Sequence, residues 1–181
     1  MTNVVLGLGS NLGDRMANLR SAMALIEERG VKTVRASSIW ETVPVPADQP
    51  RFLNAVIVCE TERTPEALLS VAKEVESLLG RRPNRHWGPR PADIDILFFG
   101  DAEMSTTELT IPHPLIAMRA FVLVPLSEVV TGLLPGLGDT ALQLLARLGP
   151  DASEGMVRTE CSLASPIKDD GQGASSAGRG A

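Results

Sequence analysis

Apolar and polar positions alternate along the chain in a pattern that predicts a strand and then a helix. A short apolar run from Val4 to Leu8 ends at Gly9-Ser10-Asn11, which predicts a first strand followed by a turn. Apolar residues then recur at helical spacing between Asp14, a candidate N-cap, and Gly30, which ends the helix. The stripe predicts a buried helix face made of Leu19, Ala22, Met23 and Ile26.

The next segment predicts two more strands and a second helix. Val31 to Trp40 and Leu53 to Thr61 have the apolar content of strands, and the proline-rich stretch Thr42 to Pro50 between them predicts a long loop. Thr64-Pro65-Glu66 combines an N-cap, a first-turn proline and a first-turn acid, and Gly80 ends the helix. Its predicted buried face consists of Leu68, Ala72, Val75 and Leu79.

A fourth strong strand follows a loop rich in proline, glycine and arginine. Asp93 to Phe99 is rich in residues that favour strands, and the order β-α-β-β-α-β predicts an α+β fold, a ferredoxin-like sheet with helices packed on it. Beyond it lie apolar pieces around Leu109 to Ile111 and Phe121 to Leu126, and a last helix is predicted near Thr140 to Leu148.

Length and composition bound the class of protein. The 181 residues suffice for one domain, predicted over residues 1–161, and the Gly, Ala and Ser-rich stretch 162–181 is predicted to be a disordered tail. With 44% hydrophobic and 22% charged residues the body should be globular. Two cysteines, Cys59 and Cys161, give no disulfide framework or zinc site.

The same features limit the partners. A net charge of −5 argues against a general nucleic-acid surface. We find no signal peptide and no apolar run of membrane-spanning length, and so expect a cytoplasmic protein without a membrane partner.

Asp93 and Asp95 are the first candidates for chemistry. Side chains alternate along a strand, so both carboxylates should point to one face, while Ile94, Ile96 and Phe98 point to the other. Mg²⁺ would relieve their repulsion, since it takes hard oxygen ligands and often uses one or two carboxylates together with substrate phosphates. The alternative is that one aspartate caps a turn and the other pairs with a surface arginine.

Arginines crowd the loop before this strand. Arg81, Arg82, Arg85 and Arg90 would supply the bidentate contacts that phosphates favour, and carboxylates beside arginines resemble a phosphoryl-transfer site. The glycine-rich stretch at residues 7–13 lacks the Gly-Lys-Ser/Thr ending of a P-loop, and no protein-kinase signature is present. That stretch is at least as well explained as a tight turn between strand and helix.

Several short motifs occur together and in a fixed order. They are Gly-Leu-Gly-Ser-Asn-Leu-Gly-Asp (7–14), Glu41-Thr42, Asp48-Gln49-Pro50, Phe52-Leu53-Asn54, Trp87-Gly88-Pro89-Arg90, Asp93-Ile94-Asp95-Ile96, Pro112-His113-Pro114 and Arg119-Ala120-Phe121-Val122-Leu123. With these motifs the chain closely resembles the 6-hydroxymethyl-7,8-dihydropterin pyrophosphokinase family over about Val4 to Leu126. The resemblance implies transfer of pyrophosphate from ATP to the pterin hydroxymethyl group, with AMP released, in folate biosynthesis.

The resemblance also implies which residues act on the ATP side. Asp93 and Asp95 are expected to bind two Mg²⁺ ions, and Arg81, Arg82 and Arg90 complete the catalytic set. Contacts to ATP are expected from Glu76, Arg85, Trp87, Arg90, Ile96, Thr110, His113 and Arg119. Taken alone, His113 is as well explained as a hydrogen-bonded turn histidine between two prolines.

On the pterin side, the family stacks the ring between two aromatic side chains. Phe52 and Phe121 match that pair and Asn54 matches the amide that reads the pterin edge, although each phenylalanine alone is more often a core residue. Further pterin contacts are expected from Thr42, Val43, Val45 and Trp87. Proteins of this type are commonly monomers, and we expect a monomer here.

Two other functions stay open from the residues. The site could serve a nucleotide-dependent transferase with another acceptor, or the domain could be a non-enzymatic module that senses a nucleotide. Formation of AMP separates an enzyme from a sensor, and binding of a dihydropterin separates the two enzymes.

Overall fold

The structure, a computed structural model, describes residues 1–44, 48–82 and 88–163. It has a mixed α/β fold in which helices cover both faces of an antiparallel sheet. The strands are β1 (Thr2–Ser10), β2 (Val31–Ala36), β3 (Trp40–Thr42), β4 (Phe52–Thr61), β5 (Asp93–Phe99), β6 (Met104–Ser105), β7 (Thr110–Ile111) and β8 (Val157–Arg158). The α-helices are α1 (Arg15–Glu28), α2 (Pro65–Leu78), α3 (Ala120–Val129) and α4 (Ala141–Leu148).

Six strands form the main sheet. Its order is β5-β1-β4-β3-β8, with β2 also paired to β4, and each recorded pairing is antiparallel. β1 and β4 pair along their whole length, from Thr2 opposite Thr61 to Ser10 opposite Leu53. The remaining strands, β6 and β7, form a separate two-stranded ribbon. Within the three described ranges, no helix is both long and apolar enough to cross a bilayer.

The three predicted helices begin where the sequence indicated. Asp14 accepts a hydrogen bond from Ala17 N at the start of α1, and Thr64 accepts one from Ala67 N at the start of α2. Thr140 and Gln143 form a reciprocal capping box at the start of α4. The predicted Phe121 to Leu126 run lies within α3.

The sheet separates two cores. The core between the sheet and helices α1 and α2, called the helix-side core, contains Val4, Leu6 and Leu8 of β1. The predicted buried faces of α1 and α2 lie in it, except that Met23 and Leu79 are only partly buried, and it also contains Val71, which was not predicted. The opposite core lies under α3 and α4 and contains Val5, Val56 and Val58. Each face is therefore filled by alternate residues of the same strands.

The prediction that Phe98 shares a face with Ile94 and Ile96 is wrong. Val5 pairs with Phe98 but Leu6 pairs with Ile96, so the register shifts at Leu97. A bulge of this kind adds one residue to β5 and reverses the alternation beyond it. Leu97 and Phe98 both enter the opposite core, whereas Ile94 and Ile96 lie in the helix-side core.

The predicted strand from Val31 to Trp40 is also interrupted. It divides into β2 and β3, because the Ser37 hydroxyl accepts a hydrogen bond from Val56 N at 2.9 Å while Ser37 N donates to Val56 O. A side chain thus replaces part of the strand ladder at this point.

The folded chain continues slightly past the predicted domain end. Arg20 donates from Nε and Nη2 to Ser162 O at 3.2 and 3.0 Å, and Leu163 is 1% exposed in the helix-side core. Residues 164–181, the rest of the predicted tail, lie outside the described residues.

Candidate active site

A row of residues across the sheet forms the floor of the site. Asp93 on β5, Gly9 on β1 and Asn54 on β4 lie opposite one another, and Asp95 lies opposite Gly7 in the next row on the same face. Neighbouring strands are about 4.8 Å apart, so side chains in a row are close. Gly9 leaves room above β1 for the polar side chains of Asn54 and Asp93 on either side.

Gly9 is the tighter of these two positions. A Cβ atom there would lie 3.1 Å from Asn54 Oδ1 and 3.6 Å from Asp93 Cβ. A Cβ at Gly7 would meet Leu97 at an ordinary 3.6 Å. The absence of a side chain at Gly9 therefore allows Asn54 its present position.

In the described part of the chain, three arginines surround the two carboxylates. Arg81 Nη1 lies 2.8 Å from Asp93 Oδ1, and Arg90 pairs with the other oxygen of Asp93. Arg119 Nη1 lies 3.6 Å from Asp95 Oδ2. Of the loop arginines predicted beside the pair, Arg81 and Arg90 contact Asp93, and both aspartates lie on the predicted common face.

Asp95 has the more perturbed acidity of the pair. Loss of hydration and the neighbouring negative charge of Asp93 raise the pKa of Asp95 to about 7, despite the nearby Arg119 and Arg90. A cation bound between the two carboxylates would counteract both effects.

Glu76 on α2 supports β5 from the helix side. It is 8% exposed, and its Oε1 accepts a hydrogen bond from Ile94 N at 2.8 Å. The same oxygen forms an ion pair with Arg81. Burial raises the pKa of Glu76, and the Ile94 amide and Arg81 offset part of that rise. Glu76 was predicted to contact ATP, but here its carboxylate binds the Ile94 amide, next to Asp93 in the chain, and Arg81, the ion-pair partner of Asp93.

His113 lies beside the end of β5, after a cis Ile111-Pro112 bond. Its N donates to Leu97 O, and its Nδ1 accepts from Leu115 N at 3.2 Å. Burial and the positive charge of Arg119 lower the pKa of His113. The ring is therefore neutral at pH 7, with its proton on Nε2.

Two other predicted ATP contacts differ in placement. Thr110 lies in β7, opposite Ser105 of β6. Ile96 is 3% exposed and its side chain packs in the helix-side core. Because β5 is an outer strand of the main sheet, Ile96 would contact a ligand through its backbone.

A cavity of about 280 Å³ opens next to the carboxylates. Five of the residues predicted to contact the pterin line it, namely Thr42, Val43, Phe52, Asn54 and Phe121. Arg90, Asp93 and Arg119 also line it, so the cavity and the carboxylate cluster share a wall. Among the described residues, Pro44, Leu115 and Met118 also line the cavity and were not predicted. Leu115 and Met118 lie between the predicted contacts His113 and Arg119 in the sequence, and this position could have indicated them.

Polar and aromatic contacts organise this cavity. Asn54 Nδ2 donates to Thr42 Oγ1 at 2.7 Å, which orients the amide. The guanidinium carbon of Arg90 lies 5.4 Å from the Phe52 ring centre, and that of Arg119 lies 5.5 Å from the Phe121 ring centre. Each arginine thus contacts a carboxylate on one side and a cavity aromatic ring on the other.

Some predicted residues add nothing to this geometry. Val45, Arg85 and Trp87 lie outside the described residues, and Arg82 is exposed just before the stretch 83–87 that is not described. In the described ranges, no cluster of three or more His, Cys, Asp or Glu residues could hold a metal.

Comparison with known proteins gives a consistent family. The family 7,8-dihydro-6-hydroxymethylpterin-pyrophosphokinase (HPPK) matches residues 5–131. A 2-amino-4-hydroxy-6-hydroxymethyldihydropteridine pyrophosphokinase of Methylorubrum extorquens is 44% identical over 156 residues, covering 85% of this chain and 98% of that protein. The Bacillus subtilis protein of the same name is 44% identical over 132 residues, covering 71% of this chain and 79% of that protein.

Longer proteins contain a similar region. A mitochondrial folate synthesis bifunctional protein of Arabidopsis thaliana is 46% identical over 128 residues, which are 70% of this chain and 23% of that protein. The crystal structure of wild-type Plasmodium falciparum HPPK-DHPS with pteroate has the same fold, with a TM-score of 0.69 at 19% identity over 85% of this chain and 43% of that one. The chain therefore belongs to the 7,8-dihydro-6-hydroxymethylpterin-pyrophosphokinase family.

Proposed function

We propose that this site transfers pyrophosphate from ATP to the hydroxymethyl group of 6-hydroxymethyl-7,8-dihydropterin, giving AMP and the pterin diphosphate for folate synthesis. The observation that carries the proposal is the shared wall between the cavity and the carboxylate cluster, formed by Arg90, Asp93 and Arg119. A phosphate donor and a planar acceptor bound on its two sides would meet there. The names of the relatives from Methylorubrum and Bacillus support the same reaction.

The arginine side suits a triphosphate. Arg90 and Arg119 are each about one-fifth exposed, so they are partly desolvated and their contacts to phosphate would be strong. Arg81 and Arg82 would add positive charge from the end of α2, and Thr110 and the neutral His113 would contact the nucleotide from beyond the end of β5. Arg85 and Trp87 stay predicted contacts.

The acidic pair suits Mg²⁺. Asp93 and Asp95 supply two hard oxygen donors on one face, and a bound cation would offset the repulsion from Asp93 that contributes to the raised pKa of Asp95. We propose that these two residues hold two Mg²⁺ ions together with the phosphates of ATP. Bound there, the metal would neutralise charge on the triphosphate.

The cavity suits a flat heterocycle with a polar edge. Phe52 and Phe121 would stack on the two faces of the pterin, and the fixed Asn54 amide and Thr42 would hydrogen-bond its edge. Val43 and the predicted contacts Val45 and Trp87 would close the remaining sides.

The reaction requires alignment more than acid–base chemistry. The hydroxymethyl oxygen forms a bond to the β-phosphorus, the bond from that phosphorus to the bridging oxygen of AMP breaks, and the hydroxyl proton goes to solvent. Arg90 and Arg119 would hold the phosphates, and Phe52, Asn54 and Phe121 would aim the hydroxymethyl group. Positioning of this kind can supply much of the rate.

The direct test is product analysis with ATP, Mg²⁺ and 6-hydroxymethyl-7,8-dihydropterin. We expect AMP and the pterin diphosphate in equal amounts, and Asp95→Ala to lower turnover about 10²-fold or more with the fold intact by circular dichroism. Asp139→Ala is the matched control, since Asp139 pairs with Arg147 away from the site. Unchanged turnover in Asp95→Ala, or no AMP from the wild-type protein, would contradict the proposal.

Two structural predictions accompany this function. The neighbour order β5-β1-β4-β2, with α1 after β1 and α2 after β4, supports the ferredoxin-like topology. The monomeric state is a separate prediction, and light scattering in solution tests it.

A further inference from the structure

Asn11 is the residue of the glycine-rich turn that the proposed chemistry leaves without a role. It follows directly after β1 and is 1% exposed. A buried amide side chain must find hydrogen-bond partners, because an unsatisfied one is costly. The partners of Asn11 lie on two different walls of the candidate active site.

The first partner is Arg90, and the contact runs in both directions. Asn11 N donates to Arg90 O at 3.1 Å, and Arg90 N donates to Asn11 Oδ1 at 2.8 Å. The backbone of Arg90 is thus fixed on both its polar groups, three residues before Asp93. The same arginine pairs with Asp93 through its guanidinium.

The second set of partners lies at the end of the loop before β4. Asn11 Nδ2 donates to Pro50 O at 3.2 Å and to Gln49 Oε1 at 3.3 Å. Pro50 is two residues before Phe52, the first residue of β4 and part of the cavity wall. The Asn11 side chain therefore connects the backbone of Arg90, through Oδ1, to the residues just before β4, through Nδ2.

The turn itself is held by other residues. Asn18 Nδ2 donates to Leu12 O at 2.9 Å and to Ser10 Oγ at 3.3 Å, and Asp14 caps α1 through Ala17 N. The side chain of Asn11 makes none of these contacts. Its described hydrogen bonds all lead away from the turn, toward Arg90, Gln49 and Pro50.

We propose that Asn11 is a positioning residue that sets the phosphate-side Arg90 and the pterin-side Phe52 relative to each other. This inference rests on the proposed function for its kinetic consequence. On this proposal the glycine-rich stretch at residues 7–13 places Asn11 and does not itself bind phosphate. Loss of the side chain would remove its hydrogen bonds to Arg90 N, Pro50 O and Gln49 Oε1, and would leave the backbone bond from Asn11 N to Arg90 O and the fold in place.

The test compares Asn11→Ala with Asn18→Ala. Asn11 lies in the turn and Asn18 contacts it from α1, and each variant removes an amide with two or three hydrogen bonds, so both should lower the melting temperature. We expect Asn11→Ala to lower kcat/KM for both ATP and the pterin about tenfold or more, and Asn18→Ala to change them less than about twofold. Equal kinetic effects of the two variants would overturn the proposal.

Asn11→Asp separates the two connections. A carboxylate oxygen can still accept from Arg90 N, but it cannot donate to Pro50 O. We expect the KM for ATP to return toward the wild-type value while the KM for the pterin stays raised. If both constants stay as high as in Asn11→Ala, the two-sided role is wrong.

A readout independent of turnover keeps the outcomes distinct. Hydrogen exchange at the Arg90 amide should be faster in Asn11→Ala and unchanged in Asn18→Ala and Asn11→Asp. If wild-type protein makes no AMP, the proposed function fails, and this exchange measurement still decides whether Asn11 holds Arg90. Unchanged exchange in Asn11→Ala would overturn the positioning role.

Discussion

Gly9 shows how a missing side chain can shape a binding site. The Asn54 amide occupies the space that a Cβ at Gly9 would enter, 3.1 Å from its Oδ1, and is fixed by its hydrogen bond to Thr42. An added methyl group would displace Asn54 by a few tenths of an ångström. Any pterin contact that depends on this amide would then be misaligned.

Gly9→Ala is accordingly expected to weaken pterin binding. Loss of about one hydrogen bond, worth about 1 kcal/mol, corresponds to a rise of about fivefold in the KM for the pterin, with the KM for ATP less affected. Gly7→Ala is the comparison in the same strand, since its Cβ would make ordinary contact with Leu97 at 3.6 Å and should have the smaller effect. A larger rise in Gly7→Ala would contradict this account of the floor.

Glu128 on α3 is a second residue whose role is visible in its contacts. Its Oε2 accepts from Ser38 N at 2.7 Å and its Oε1 from Trp40 Nε1 at 2.9 Å, at the interruption between β2 and β3. Burial alone would raise the pKa of Glu128, but these hydrogen bonds and the nearby Arg158 outweigh it and lower the pKa.

Because its pKa is lowered, Glu128 contributes to the stability of the folded protein in a way that depends on pH. Its contribution is present above the unfolded-state pKa of about 4.3 and is lost as the pH falls through the lower folded-state pKa. We expect Glu128→Gln to be less stable than wild type in urea at pH 7, and the difference to shrink at pH 3. Glu62→Gln, at an exposed turn, controls for removal of one negative charge. A difference of equal size at both pH values would contradict the expectation.

At the scale of elements, a C-terminal segment of residues 155–159 supports the strand that enters the cavity wall. Val157 and Arg158 pair with Glu41 and Trp40 of β3, and Thr159 N donates to Ile39 O at 2.9 Å. Arg51 donates a hydrogen bond to Gly155 O. Its Nε lies 3.5 Å from Glu41 Oε2, which is an ion pair without a hydrogen bond. This segment lies beyond residues 5–131, the part that the family matches.

Gly155→Ala is expected to raise the KM for the pterin through Val43. The backbone of Gly155 has φ +73°, and an added Cβ would lie 3.0 Å from Cγ2 of Val43, a residue that lines the cavity. A shift of Val43 off its rotamer costs on the order of 0.5–1.5 kcal/mol, or about two- to tenfold in KM. The value is measured by pterin titration at saturating ATP.

Gly138→Ala is the matched control for that variant. Gly138 has φ +71°, so alanine there suffers the same backbone strain, but a Cβ would meet nothing within 4 Å. Both variants should lose similar thermal stability, and only Gly155→Ala should change the KM. Equal pterin constants in the two variants would show that the C-terminal segment does not act on the cavity.

Across the whole molecule, local rules predicted the parts of the site that lie on regular elements. Alternation in β5 placed Asp93 and Asp95 on one face, and the cap at Thr64 placed the start of α2. The same alternation failed at Phe98, because the bulge at Leu97 depends on the register with β1. Sequence periodicity carries no information about register with another strand.

Contacts between distant segments were the part that the sequence could not predict. The break at Ser37 depends on a hydrogen bond with Val56, and the support of the Arg90 loop depends on Asn11, 79 residues earlier. The five cavity residues named from the family resemblance are brought together as expected. Leu115 and Met118 were missed because their side chains reach the cavity only after the chain turns between β7 and α3.

The division of the sheet into two cores has a consequence for how such a protein can change over evolution. The proposed substrate-contacting side chains of β4, β5 and α3 lie on the face opposite α1 and α2, so the apolar residues under α1 and α2 can be altered without touching them. Changes such as an Ile to Val exchange at Ile26 would alter thermal tolerance and leave catalysis as it is. Adaptation to a new growth temperature and adaptation to a new inhibitor would thus draw on separate sets of positions.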